Sequence, residues 1–188
     1  MENNYHRFEK LYRLINLYPD LERQFQEKVS RAEDSSQLQE IIDGILNSKL
    51  QVSLEPTEIS EIQPFRKRFW NSLRCYAERG GEPDYAVGAS SDAHKILVGF
   101  DELTPVGYFL ILKEKYATEL AELFIDEQYR GLGLSKKVMD YVLDTYPRNE
   151  LYILVHKPNF VSKNLIQKYE FQPVCQESNN LIRFEWHD

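Results

Sequence analysis

The feature that most constrains this chain is the run Leu123-Phe124-Ile125-Asp126-Glu127-Gln128-Tyr129-Arg130-Gly131-Leu132-Gly133-Leu134-Ser135-Lys136-Lys137, where an apolar strand ends, two glycines follow and an amphipathic helix begins. Such a turn is built for an anion. The first backbone N–H groups of a helix have no intrahelical partner, and the macrodipole adds about half a positive charge there, so a diphosphate can be held without cationic side chains. Gly131 and Gly133 lack a Cβ, which lets phosphate oxygens come close to the amides from Arg130 to Ser135. Arg130 and Lys136 are placed to add charge. A dinucleotide loop of the form Gly-x-Gly-x-x-Gly fails on spacing, because its third glycine would fall where Lys136 stands.

The flanking rhythm alternates strands and helices. A short strand near Leu50–Leu54 precedes a helix over roughly Thr57–Arg79, with Pro64 marking a kink, and Gly80-Gly81-Glu82-Pro83 makes a loop. Lys95–Asp101 and Val106–Lys113 read as a hairpin joined by Glu102-Leu103-Thr104-Pro105, and a third strand follows at Thr118–Ile125. After the glycine turn come a helix to about Tyr146, the strand Leu151–His156, a helix over about Val161–Tyr169, and strands near Phe171–Cys175 and Leu181–Trp186. The fold class is α/β (α+β), a mixed sheet with helices on its faces.

Residues 1–49 read as helices only, an extension ahead of a main domain at 50–188. Tyr5, Phe8, Leu11, Tyr12 and Ile15 recur at helical spacing, and Leu21, Phe25 and Val29 continue it past Pro19. A third helix is predicted from Ser36, capped by its own side chain and answered by Gln39. These apolar stripes need a partner, either the chain's own later domain or a homodimer mate met through the helices or a sheet edge.

Composition narrows the function classes. A formal net charge of −7 argues against nucleic-acid binding, which needs Lys and Arg to displace counterions, and favours a cationic guest. Cys75 and Cys175 fit neither a disulfide framework nor a metal spacing, and the four His are scattered, so no metal is expected. The first thirty residues hold no apolar run resembling a signal peptide, and no stretch is able to span a bilayer, so a cytoplasmic location without membrane attachment is expected.

Gln128-x-x-Gly131-x-Gly133 resembles the Gln/Arg-x-x-Gly-x-Gly/Ala signature of the GNAT superfamily of N-acetyltransferases, and the wider Ile125-x-x-x-Tyr129-Arg130-Gly131-x-Gly133-Leu134 surround is similar too. The resemblance covers about residues 50–187. It implies a mixed, mostly antiparallel sheet with helices on both faces, in which two neighbouring parallel strands splay around acetyl-coenzyme A as acyl donor. Phe124, Ile125 and Asp126 would then pair with the pantetheine arm, and the stretch from Gln128 through Tyr129, Arg130, Gly131, Leu132, Gly133, Leu134 and Ser135 to Lys136 would hold the pyrophosphate. Downstream, Asn159 to Phe171 resembles the family's Asn-x-x-Ala-x-x-Leu-Tyr-x-Lys-x-Gly-Phe segment. Asn159 matches the pantetheine-side asparagine, Ser162 stands where Ala is usual, Ile166 where a Tyr commonly serves as general acid, and Glu170 where Gly is usual.

The implied reaction is direct transfer of acetyl to a primary amine of a small-molecule or peptide acceptor. An alkyl ammonium of pKa about 10.4 must first lose a proton, which at pH 7 costs about 4.6 kcal/mol, so a base is needed. Glu119 is similar in placement to the glutamate of histone-acetylating relatives. Glu122, on the same strand, points to the other face if that strand is regular. His156 closes the next strand, at the edge where the thioester is expected, with an ordinary pKa of about 6.5; a structural histidine is the alternative. A backbone N–H near Phe124 or Ile125 would serve a developing oxyanion. The reading from a different class is an acyl-coenzyme A-binding regulator whose helical arm touches a partner.

Overall fold

The structure, a computed structural model, describes residues 4–49, 52–77, 93–100, 104–177 and 180–186. Helices α1 (Asn4–Leu17), α2 (Pro19–Val29) and α3 (Ser35–Lys49) precede β1 (Val52–Pro56), α4 (Ile59–Ala77), β2 (Ala93–Phe100), β3 (Thr104–Lys113) and β4 (Thr118–Ile125). Then come α5 (Leu134–Thr145), β5 (Leu151–His156), α6 (Phe160–Gln167), β6 (Phe171–Gln176) and β7 (Leu181–Trp186). The expected Gly80–Pro83 loop lies outside the described residues. No helix among those residues is long and apolar enough to cross a membrane.

Local chemistry sets the ends. Pro19 occupies the first turn of α2, where its missing N–H has no helical partner to lose. α3 starts one residue before the predicted Ser36 and is capped by Asp34, whose Oδ1 accepts the Ser36 and Gln37 amides at 2.8 and 2.9 Å. Gln37 Oε1 reaches back to the Glu33 amide at 2.8 Å, so a box did form but two residues upstream of the Ser36–Gln39 pair. A carboxylate at a helix start also gains from the macrodipole, which a hydroxyl does not. At the other end of the chain, Glu170 closes α6 with φ of 69°, the left-handed region. That conformation costs a side-chain-bearing residue roughly 1–2 kcal/mol, against roughly 0.4–1 kcal/mol for the looser unfolded chain that glycine brings. Glu170→Gly is therefore expected to stabilise by up to about 1 kcal/mol, seen as a melting temperature about 2–4 °C higher.

The sheet runs β1-β2-β3-β4-β5-β7-β6, with every neighbouring pair antiparallel except β4 and β5. Helices cover both faces, as alternation along β3 makes plain. Tyr108 and Leu110 pack with Ile62 and Phe65 of α4 and with Phe124, whereas Phe109 and Ile111 share the larger core with Val138, Met139 and Val142 of α5. That larger core also takes in Leu11, Leu14, Leu21, Ile42, Ile45 and Leu46, so the N-terminal helices bury their stripes in the same core as the sheet. At roughly 1.5–3 kcal/mol for each fully buried side chain, this far outweighs any surface ion pair the helices make.

One irregularity decides the site. Against β3, Leu112 faces Glu119, Ile111 faces Leu120 and Leu110 faces Glu122, so Ala121 is an extra residue. Such a bulge shifts the side-chain alternation by one. Leu110 and Leu112 share a face, and so therefore do Glu119 and Glu122. The expectation that Glu122 points away from Glu119 assumed a regular strand, and the bulge overturns it.

Candidate active site

β4 and β5 pair only at Thr118 with Leu151 and Glu119 with Tyr152. Beyond that point β4 stays on β3 as far as Ile125, while β5 pairs with β7 as far as His156. The result is a wedge, closed at Glu119 and Tyr152 and open toward Ile125 and His156. Inside it the backbone edge of β4 has no strand against it among the described residues. Asp126 donates its N–H to Val106 O at 2.8 Å and so faces β3. Because antiparallel residues alternate, Leu123 and Ile125 turn their backbones into the wedge. Of the expected Phe124, Ile125 and Asp126, only Ile125 does so, and its carbonyl accepts from Arg130 Nε at 3.0 Å. The Phe124 ring is buried among Phe65, Phe69 and Tyr108, and the Asp126 carboxylate pairs with Arg68.

The glycine turn stands at the mouth. After a 3-10 turn at Glu127–Tyr129, Gly131 and Gly133 take φ of 81° and 87°, values that a side chain would strain. Leu132 and Leu134 are buried in the larger core and hold the turn down, while Gln128, Arg130 and Lys136 are exposed and Tyr129 and Ser135 half-buried. Gly133 caps α5 without a side chain, and the first helical bonds run from the Lys136 and Lys137 amides to Gly133 O at 3.1 and 3.2 Å. The Leu134 and Ser135 amides precede those bonds, at the positive end of the helix.

A polar cluster fills the closed end. Tyr152 Oη lies 2.9 Å from Glu114 Oε1 and 3.1 Å from Glu119 Oε2. Burial pushes the Glu119 carboxyl above its ordinary range; the Tyr152 hydrogen bond opposes that shift, and the Glu114 charge adds to it. Burial, the Glu119 charge and the bonds to both carboxylates hold the Tyr152 phenol well above its usual value, so it keeps its proton. The Arg183 guanidinium sits 3.8 Å from the Tyr152 ring centroid and pairs with Glu185 at 2.7 Å and Glu177 at 3.6 Å. Glu114, Tyr152 and Arg183 were not foreseen, because their convergence depends on the β4–β5 and β5–β7 registers.

Glu122 is held in a buried triad. Its Oε1 accepts from Arg66 Nη2 at 2.7 Å, and its Oε2 from Arg66 Nε at 3.0 Å and Tyr108 Oη at 2.7 Å. Arg66, Glu122 and Tyr108 are all buried, so both oxygens are occupied out of reach of solvent. His156 stands at the mouth, four residues and about 13 Å along the strand from Tyr152, not beside the closed end. Its pKa is lowered by burial, which keeps the ring neutral near pH 7, and its buried Nδ1 has no hydrogen-bond partner among the described residues.

Residues 57–171 match the sequence model of the Acetyltransferase (GNAT) family. The chain belongs to that family. It is thereby an acyltransferase. No curated protein matches its sequence, but solved structures share its fold. An acetyltransferase from Thermus thermophilus superposes with a TM-score of 0.56 at 21% identity, over 72% of this chain and 96% of that one. The PaiA N-acetyltransferase of Thermoplasma acidophilum, solved in complex with coenzyme A, gives 0.51 at 12%, over 73% and 100%. The ribosomal-protein alanine N-acetyltransferase of Escherichia coli gives 0.53 at 10%, over 71% and 90%.

Within this GNAT fold the downstream segment is partly structural. Asn159 caps α6, its Oδ1 accepting the Ser162 amide at 3.1 Å, which leaves its amide nitrogen for other contacts. Ile166, at the family's tyrosine position, is 3% exposed and lies in the larger core. Tyr169 Oη donates toward Asp140 Oδ1 at 2.8 Å and Lys136 O at 3.1 Å, tying the end of α6 to α5.

Proposed function

We propose that this enzyme moves an acetyl group from acetyl-coenzyme A to a primary amine by direct attack in a ternary complex, with residues 50–188 as the catalytic unit and 1–49 as a helical extension. The observation that carries the reading is the wedge between β4 and β5 with the glycine turn at its mouth. The donor fits: positive-φ glycines and uncapped amides suit its diphosphate, and the β4 edge at Leu123 and the Ile125 N–H suits the amides of its pantetheine arm. Arg130 and Lys136 supply cations beside the Gly131–Ser135 amides, with Gln128 and Tyr129 flanking, and Asn159 and Ser162 form the wall opposite. When bound, the donor supplies an activated acyl carbon. A complex of the Thermoplasma N-acetyltransferase with coenzyme A supports this assignment by analogy of fold.

The diphosphate end lies at the mouth, so the reacting end lies toward Glu119 and Tyr152. There Glu119 Oε takes the proton of the acceptor ammonium, a task for which a carboxyl raised above its ordinary range is better matched than a free one. Tyr152 Oη, held protonated, hands its proton to the leaving sulfur and recovers one from Glu119 across their 3.1 Å contact, which restores both groups. The second proton lost by the nitrogen as the amide forms passes to solvent. Glu114, Glu119, Glu177 and Glu185 around Arg183 favour a cationic acceptor. Relatives in this fold include one named for the alanine of a ribosomal protein, so a peptide amine stands beside small amines.

One observation favours a second reading, a regulator that binds acyl-coenzyme A without turnover: the family's tyrosine position is the core residue Ile166. Calorimetry with coenzyme A, followed by thiol-release assays over small amines and N-terminal peptides, separates the two. Binding with thiol release on at least one amine is the expected result. Binding with none selects the regulator, and absence of binding rejects both.

A further inference from the structure

Helix α1 lies outside the residues that match the family, yet it rests on the glycine turn. Arg13 Nη1 donates to Arg130 O at 3.0 Å, across 117 positions of sequence. Arg13 Nε stands 2.7 Å from where a Cβ on Gly131 would be, and Lys10 Nζ stands 3.8 Å from where one on Gly133 would be. Gly131 is thus required twice, for its dihedral and for the guanidinium against it. Lys10 and Arg13 are three residues apart and so share one helix face. Leu11 and Leu14, buried at 2% and 0% exposure, fix which face that is.

Resting on the donor assignment above, we infer that α1 is a wall of the phosphate site: Lys10 and Arg13 bind the phosphates of coenzyme A, and donor binding fastens the N-terminal helices to the catalytic unit. The turn itself offers about half a positive charge. A diphosphate with a phosphomonoester brings several negative charges, the monoester alone about −1.5 to −2 at pH 7. In a chain whose net charge is −7, that load calls for local cations. Arg130 and Lys136 come from the turn and the start of α5, and Lys10 and Arg13 add two cations from α1. Arg13 Nη2 is held by Glu9 at 3.1 Å, which aims the guanidinium, while its buried Nε–H has no acceptor among the described residues. That donor is covered by Gly131, so the guanidinium gains a hydrogen bond by turning toward a phosphate oxygen at the turn.

The test uses the full chain and coenzyme A itself. Lys10→Ala and Arg13→Ala are each expected to weaken binding by about tenfold, and the pair by more, with a shallower salt dependence than the wild type. In the wild type, coenzyme A is expected to slow amide exchange in Asn4–Leu17. Folded variants that bind as tightly as the wild type overturn the inference while leaving the donor assignment standing. If Arg13→Ala does not fold, Lys10→Ala and the wild-type exchange experiment decide, and unchanged exchange in α1 overturns the inference. A wild type that does not bind coenzyme A rejects the donor assignment and this wall together.

Discussion

Glu119→Gln is expected to lower kcat/KM by about 10²–10⁴-fold while raising the melting temperature. The loss follows from the proposed base role, because an amide keeps the hydrogen bond to Tyr152 but cannot take a proton. The gain follows from linkage. Burial holds the folded Glu119 above its unfolded value, so as pH rises the unfolded chain ionises first and ionisation favours unfolding. Its contribution to stability is therefore fully present below the unfolded value of about 4.3 and is lost as pH climbs through the folded one. At pH 7 the wild type carries that penalty and the glutamine variant does not. The same shift sets the kinetics: the acid limb of wild-type kcat/KM against pH should fall above the ordinary carboxylate range and vanish in the variant. Unchanged turnover, or an acid limb retained at the same pH, would remove Glu119 from the mechanism.

What was legible in the sequence is what local rules decide. β4 and β5 run over the residues predicted from their apolar runs, and the seven-stranded sheet with helices on both faces is the expected fold. The glycine turn was legible because a positive φ at Gly131 and Gly133 leaves few other residues free of strain. The candidate site was less so, because its members meet through register. Whether Glu119 and Glu122 share a face depends on the single extra residue Ala121, which exists only relative to β3. Which end of β5 closes the wedge depends on pairing at Leu151 and Tyr152, which leaves His156, the last residue of that strand as expected, at the mouth. Long-range partners leave no spacing to read. Arg66 meets Glu122 across 56 positions and Arg13 meets the glycine turn across 117. Even the α3 cap shifted, because Asp34 outcompeted a serine that fitted the pattern equally well.

Arg66→Ala is expected to destabilise the protein by about 3–5 kcal/mol, because it strands the Glu122 carboxylate in an apolar cluster. Against a total of about 5–15 kcal/mol this is a large fraction, and it should appear as a melting temperature lower by about 6–20 °C. Removing the pair is a different matter. Two charges taken out of water gain back only part of their solvation from each other, so apolar replacements of similar volume are often neutral or better. Arg66→Met with Glu122→Leu should therefore recover most of the loss, and adding Tyr108→Phe should recover more, since that hydroxyl donates to Glu122 at 2.7 Å and would otherwise be orphaned. Urea unfolding of the single, double and triple variants measures the series. An Arg66→Ala variant within about 1 kcal/mol of wild type would contradict the buried triad. The triple variant also addresses Glu122 itself. If its carboxylate is structural, a stable triple variant turns over with an acid limb still set by Glu119. If Glu122 handles a proton, that variant folds and fails to turn over, and the base belongs one bulge further along the strand.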